Sequence, residues 1–279
     1  MAKRNRRLSY EQKIKEGRGT GSGKDYKPWI QIQDFGSKGR VARGKGIKTG
    51  RLHEFLSDLE CNYYYYLDIS DNVMDIREQY PLLPVEETIL IANELGLEHP
   101  KNPRTKEDEA ISTDFFIDFI EQDGTVVSKA RTLKYKKDLL DKRVLEKFEI
   151  ERQYFERHGI DWGIVTEEEI DDSIAEFISD LYSYQNLNEV EFYKECNSEE
   201  LDEMKLYFIS QCSTYEGSLK SLCRHFDKIM NLCIGSGITM FKHLLVNKLI
   251  NVNIYEKIDF NNHITITINE TNIDIRGVS

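Results

Sequence analysis

Residues 111–120 and 125–135 are two β-rich arms joined by Gln122-Asp123-Gly124, and this pattern constrains the chain more than any other. A three-residue connection ending in glycine suits a hairpin, because its last position takes a left-handed backbone that Gly adopts freely. Residues 141–158 then carry apolar positions at helical spacing and stop before Gly159, and residues 162–166 read as a further strand. Strands alternating with an amphipathic helix predict an α/β fold, in which helices flank a small mixed sheet. If the loop is Gln122 to Gly124, pairing is symmetric about Asp123. Asp114 then stands opposite Thr132, and Thr132 and Lys134 share its face, because side chains alternate along a strand. A loop one residue longer would undo that placement.

Upstream, residues 51–66 read as a helix, with Leu52, Phe55, Leu56 and Leu59 at helical spacing, followed by Glu60 and the run Tyr63 to Tyr66. The aromatic run is expected to serve the core. Residues 73–77 read as a strand that Tyr80-Pro81-Leu82-Leu83-Pro84 brings to an end. Downstream, the acidic stretch 167–172 marks a boundary. Helices are expected near 170–184, 198–212, 218–233 and 237–250. A polar-tipped hairpin should follow, with arms at 264–268 and 273–275. The expected organisation is a catalytic α/β domain at 1–168 and a mainly helical, winged-helix-like domain at 169–279.

Charge divides the chain the same way. The 279 residues carry a net charge of −11, yet residues 1–51 hold 15 Lys and Arg against 4 Asp and Glu, while 169–279 hold 9 against 18. A basic arm suits phosphate, with Lys3, Arg4, Arg6, Arg7, Arg18, Lys24, Arg40, Arg43, Lys45 and Lys48 as candidate DNA contacts; composition equally admits a solvated tail. The acidic C-terminal part repels phosphate, so protein contact is its expected role. The glycines of 17–25 do not make a phosphate-binding loop, since Lys24 is followed by Asp25 where that motif needs Ser or Thr. No apolar run is long enough to span a membrane, and the basic start lacks the apolar core of a secretory signal, so a cytosolic setting is expected. The five cysteines form no CxxC pair and read as ordinary buried thiols. The histidines have no zinc-site spacing, and no GxSxG nucleophile motif occurs.

One constellation could carry chemistry. Phosphodiester hydrolysis needs an activated water and neutralised phosphate charge, and Mg²⁺ supplies both from a few carboxylates and carbonyls. Asp114 and Lys134 on one face of the hairpin, with Glu60 from the preceding helix, fit that need. Spacing alone favours a surface ion pair between Asp114 and Lys134, and Glu60 on a solvated helix face.

The surrounding residues point further. GRGTGSGKDYKPW (17–29), KTGRLHEFLSDLE (48–60), DIREQYPLLP (75–84), STDFFID (112–118) and LEKFEIERQYF (145–155) occur in that order. In these blocks the chain resembles TnsA, the endonuclease subunit of heteromeric bacterial transposases of the Tn-seven-like and CRISPR-associated elements. The resemblance covers most of residues 10–170 and implies a restriction-endonuclease-like catalytic domain. It implies Glu60 and Asp114 as metal ligands, Lys134 as the catalytic lysine, and the Leu133 carbonyl as a further ligand. Thr132 stands where this nuclease class carries Gln or Glu, and a hydroxyl is a weaker ligand. Glu149 and Glu151 are possible accessory acids. The resemblance also implies Mg²⁺ or Mn²⁺, two ions in all, and cleavage at transposon 5′ ends in a bacterial cytoplasm. Its implied partners are a TnsB-like DDE recombinase and a TnsC-like AAA+ ATPase, the latter docking on the C-terminal domain. A stand-alone restriction or repair nuclease of the same fold, and a non-catalytic DNA-binding adaptor favoured by Thr132, are the alternatives.

Overall fold

The computed structural model describes residues 8–34, 42–102 and 105–270. The chain divides into two compact units, meeting at Asp171 and Asp172. The first holds α1 (Tyr10–Lys15), β1 (Ala42–Lys45), β2 (Leu52–Phe55), α2 (Asp58–Ile69), β3 (Val73–Pro81), α3 (Val85–Glu94), β4 (Ser112–Ile120), β5 (Val126–Leu133), α4 (Lys142–Arg157) and β6 (Asp161–Val165). A four-stranded mixed sheet runs in the order β3-β4-β5-β6, with the first three strands antiparallel and β6 parallel to β5. β1 and β2 form a separate antiparallel pair.

The hairpin forms in the expected register. Phe115 pairs with Arg131 and Ile120 with Val126, symmetric about Asp123. The turn closes through Gly124 N–H donating to Glu121 O at 3.0 Å, and Gly124 has φ +84°. Alternation then sends successive side chains into two cores. Phe115, Ile117 and Leu133 pack with Leu59, Tyr64 and Leu67 of α2. Phe116 and Ala130 face the other way, onto Ile91 of α3 and Ile150, Tyr154 and Phe155 of α4. Both faces of the sheet are thereby covered, as a partly parallel sheet requires.

One expectation is corrected here. Leu52 and Phe55 belong to strand β2, and the helix begins only at Asp58. The cause is tertiary: Arg51, His53 and Glu54 converge on the Glu78 carboxylate of β3, an anchor that periodicity does not reveal. Arg51 donates to Glu78, and His53 Nδ1 lies 2.9 Å from Glu78 Oε2. The Glu54 N–H donates to Glu78 Oε1 at 3.2 Å. The thiols also differ from expectation. Only Cys223 is buried; Cys61, Cys196 and Cys212 are half-buried and Cys233 is exposed.

The second unit holds α5 (Asp172–Leu181), α6 (Ser198–Cys212), α7 (Leu219–Ile229), α8 (Ser236–Val246), β7 (Ile250–Asn251) and β8 (Thr267–Ile268). Phe208, Phe226, Met240, Phe241 and Leu244 are fully buried within it. Of its expected terminal hairpin, the first arm contributes β8, which pairs with β7 across the fifteen residues between them; the second arm, 273–275, lies outside the described residues. Among the described residues, no helix is long and apolar enough to cross a membrane.

Burial pushes the Glu78 carboxyl up, but hydrogen bonds and charge from Arg51 and His53 outweigh it and hold the group at about 2, against an ordinary 4.5. Its contribution to stability is therefore complete above pH 4.5 and lost as pH falls through about 2. Glu78→Ala leaves Arg51 buried and unpaired, and should cost about 3–5 kcal/mol in urea unfolding at pH 7. A loss below 1 kcal/mol would mean the anchor is dispensable.

Candidate active site

Helix α2 starts at a strong cap. Ser57 is its N-cap: its hydroxyl accepts from the Glu60 N–H at 3.2 Å and donates to Glu60 Oε1 at 2.8 Å. The Leu56 N–H donates to Glu60 Oε2 at 3.0 Å. These bonds fold the Glu60 carboxylate back against the helix start, where it is only 6% exposed. A carboxylate is favoured there by the orphan amides and the positive helix end.

Asp114 approaches from β4. Its Oδ2 accepts from the Leu133 N–H at 2.7 Å, which ties the acid to the last residue of β5. Between the two acids sits Gln79 of β3. Its side-chain amide nitrogen lies 3.4 Å from Glu60 Oε2 and 3.1 Å from Asp114 Oδ1. A cleft of about 350 Å³ opens here, lined among others by Glu60, Asp114, Thr132, Lys134, Asp138 and Lys147.

Electrostatics mark the pair as unneutralised. Burial, then the negative charge of Asp114, pushes Glu60 up to about 8 from an ordinary 4.5. Burial also raises Asp114, only partly offset by the Leu133 N–H and by the positive charge of Lys147 and Lys134. The two acids therefore resist joint ionisation, an electrostatic pattern typical of functional sites. Among the described residues no three His, Cys, Asp or Glu side chains form a ready-made metal cage. A small hard cation that keeps several waters and takes one or two carboxylates fits such a donor set; zinc, which demands three or four protein ligands, does not.

Helix α4 closes the far side. Glu151 is fully buried; its Oε2 accepts from the Thr132 hydroxyl at 2.7 Å, and its Oε1 lies 3.5 Å from Lys147 Nζ and accepts no hydrogen bond. Burial raises its pKa. The Thr132 hydroxyl is committed, since it also accepts from Trp162 Nε1 at 3.2 Å. Glu149, on the same helix, is 39% exposed and pairs with Arg152. The fold thus brings Glu60, Asp114, Thr132, Leu133 and Lys134 together, adds Glu151 behind them, and leaves Glu149 out.

Two residues at the site escape a reading of spacing. Lys147 stands four residues before Glu151, a helical pairing the sequence does show. Gln79 lies in a strand, and nothing in the pattern distinguishes it.

The basic arm is only partly available to phosphate. Arg18 is corrected: it is 1% exposed, paired with Glu16 and Asp34, and donates to Trp29 O at 3.3 Å. Lys24 and Lys45 are exposed and Lys48 is half-buried. Arg43 is half-exposed against Glu54. Lys3, Arg4, Arg6, Arg7 and Arg40 lie outside the described residues.

With this geometry established, comparison with known proteins is informative. Residues 70–167 match the family described as TnsA-like endonuclease N terminal, and residues 169–254 match TnsA endonuclease C terminal. The chain is 38% identical over 260 residues to the transposon Tn7 transposition protein TnsA of Escherichia coli, an alignment spanning 92% of this chain and 90% of that protein.

The raised acids make a test in EDTA. Between pH 4.5 and about 8 the folded protein holds a proton on Glu60 that the unfolded chain has released, so stability falls across that window. Asp114→Asn removes the repulsion and should raise the metal-free melting midpoint at pH 8 relative to wild type. A lowered midpoint would contradict the like-charge account.

Proposed function

The chain belongs to the TnsA family and is the endonuclease subunit of a transposase, and from that premise we propose that Glu60, Asp114 and Lys134 cut the 5′ ends of transposon DNA. One observation carries the residue assignment: the buried Glu60 and half-buried Asp114 carboxylates, both with raised pKa values, share a cleft with lysines from a strand end and a helix. Glu60, Asp114 and the Leu133 carbonyl would hold Mg²⁺, with Mn²⁺ able to replace it and two ions in the complete site. Bound there, the metal supplies Lewis acidity and a nucleophile at neutral pH.

The remaining work falls to the chain itself. The Leu133 N–H and the Ser57 cap hold the two acids in place. Lys134 orients the attacking water and offsets the charge that grows on the phosphate. Thr132 stays outside the ligand set, because Glu151 and Trp162 occupy its hydroxyl. It does not argue for a dead site either, since Glu151 places a buried carboxylate 2.7 Å from that hydroxyl.

DNA grip is assigned to the N-terminal residues Lys3, Arg4, Arg6 and Arg7, together with Lys24, Lys45 and Lys48. Residues 169–279 carry 9 basic and 18 acidic side chains, a surface suited to protein rather than phosphate. We assign that part to contact with a TnsC-like AAA+ ATPase. A TnsB-like DDE recombinase would cut and join the 3′ ends. Work on transposon DNA in a bacterial cell would be cytoplasmic.

In the complete transposase, Asp114→Ala should abolish 5′-end cutting while 3′-end cutting persists; undiminished 5′ cutting would sink the assignment. Lys134→Ala should slow the same step by on the order of 10²–10³, the loss typical of one preorganised charge-stabilising group. Removing residues 1–7 takes away four basic side chains, and should flatten the dependence of log affinity on log salt by up to about 3.6. An unchanged slope would make the arm a solvated tail.

A further inference from the structure

Gln79 has a backbone φ of +49° within β3, two residues before its end. Non-glycine residues rarely adopt that region, and Asn tolerates it better than Gln. The side chain is 3% exposed and carries no charge of its own. A buried glutamine held in a costly backbone needs a reason, and its contacts supply one.

The glycine-rich segment that fails as a phosphate loop is a strap along the free edge of β3. Gly23 N–H donates to Asp75 at 3.1 Å, Tyr26 OH donates to Glu78 O at 3.1 Å, and Trp29 N–H donates to Gln79 O at 3.1 Å. Gly19, at φ +75°, lies so close to Pro81 that a Cβ would sit 2.3 Å from its ring. The strap therefore grips the strand at residues 75, 78, 79 and 81, and anchors the carbonyl of Gln79 itself. Across the strand, Gln79 lies between the pairs Glu78–Phe115 and Tyr80–Thr113, facing Asp114.

The amide is also fixed end for end. Its NH₂ group is the end turned to the acceptors Asp114 Oδ1 and Glu60 Oε2, and its oxygen accepts from Ser112 Oγ at 3.3 Å. One nitrogen thus spans both acids, within reach of Asp114 Oδ1 and Glu60 Oε2.

We propose that Gln79 is the positioning residue of the metal site, held by the strap of residues 19–29 so that its amide keeps Glu60 and Asp114 at ligand spacing before a divalent cation arrives. This rests on the metal-site reading of Glu60 and Asp114 given above. Outer partners that orient metal ligands are typically worth 10–100-fold in metal affinity.

The test is Mn²⁺ binding to the full chain, read by the paramagnetic resonance signal of free Mn²⁺, for wild type, Asp114→Ala and Gln79→Met. Methionine keeps the length and bulk of glutamine without its donor. Gln79→Met should bind Mn²⁺ at least tenfold more weakly than wild type while melting in EDTA within a few degrees of it. Binding within twofold of wild type, with Asp114→Ala inactive in binding, would overturn the role of Gln79 and leave the metal site standing. Equal Mn²⁺ binding by wild type and Asp114→Ala would overturn the metal site, and this inference with it. Should Gln79→Met not fold, the wild-type protein decides. Its Gln79 side-chain amide protons should be protected from exchange in EDTA and shift on adding Mg²⁺; unprotected, unshifted signals would overturn the proposal.

Discussion

The pairing of β4 with β5 about Asp123 is the constraint on which the catalytic unit turns. Alternation along these strands assigns Phe115, Ile117 and Leu133 to the core under α2, and Phe116 and Ala130 to the core under α4. A shift of one residue would send every one of these side chains to the opposite face. The same register brings the Leu133 N–H to Asp114, so the core and the site share one geometric cause. The turn is short and its Gly124 takes the left-handed backbone it needs, which leaves little freedom for a slip.

Around that hairpin, the structure separates two uses of buried acid. Glu78 is met by Arg51 and His53 and is held as a stable anion that fastens β2 to β3. Glu60 and Asp114 are met by neutral donors only at short range, from Leu56, Ser57, Gln79 and Leu133, and both resist ionisation. A fully paired acid is structural, while an underpaired couple at a cleft is the arrangement on which the proposed cation site rests. The contrast lies within one strand: Glu78 anchors the fold and its neighbour Gln79 addresses the site.

Much of the fold was legible because periodicity carries it. The hairpin, helix α4 and strand β6 fall where apolar spacing puts them, and α6 matches its expected bounds. Residues 51–66 were misread at their start because Leu52 and Phe55 fit a helical spacing, while the deciding contact, Glu78, lies more than twenty residues away. The pairing of β8 with residues 250–251 was not legible, since a two-residue ladder leaves no pattern. Arg18 looked like a phosphate contact from composition, but its guanidinium is enclosed by Glu16, Asp34 and the Trp29 carbonyl.

Local pattern alone specifies the hairpin, the helix that follows it, the basic start against an acidic end, and the residue types Glu60, Asp114 and Lys134. Those are properties of local spacing and charge, which travel with the chain wherever it folds. Packing between distant segments is what turns Glu60 back into the cleft, sets Glu151 rather than Glu149 behind Thr132, and brings Gln79 between the two acids. Each of these depends on distance and burial between segments remote in sequence, and burial is what converts an ordinary carboxylate into one with a raised pKa.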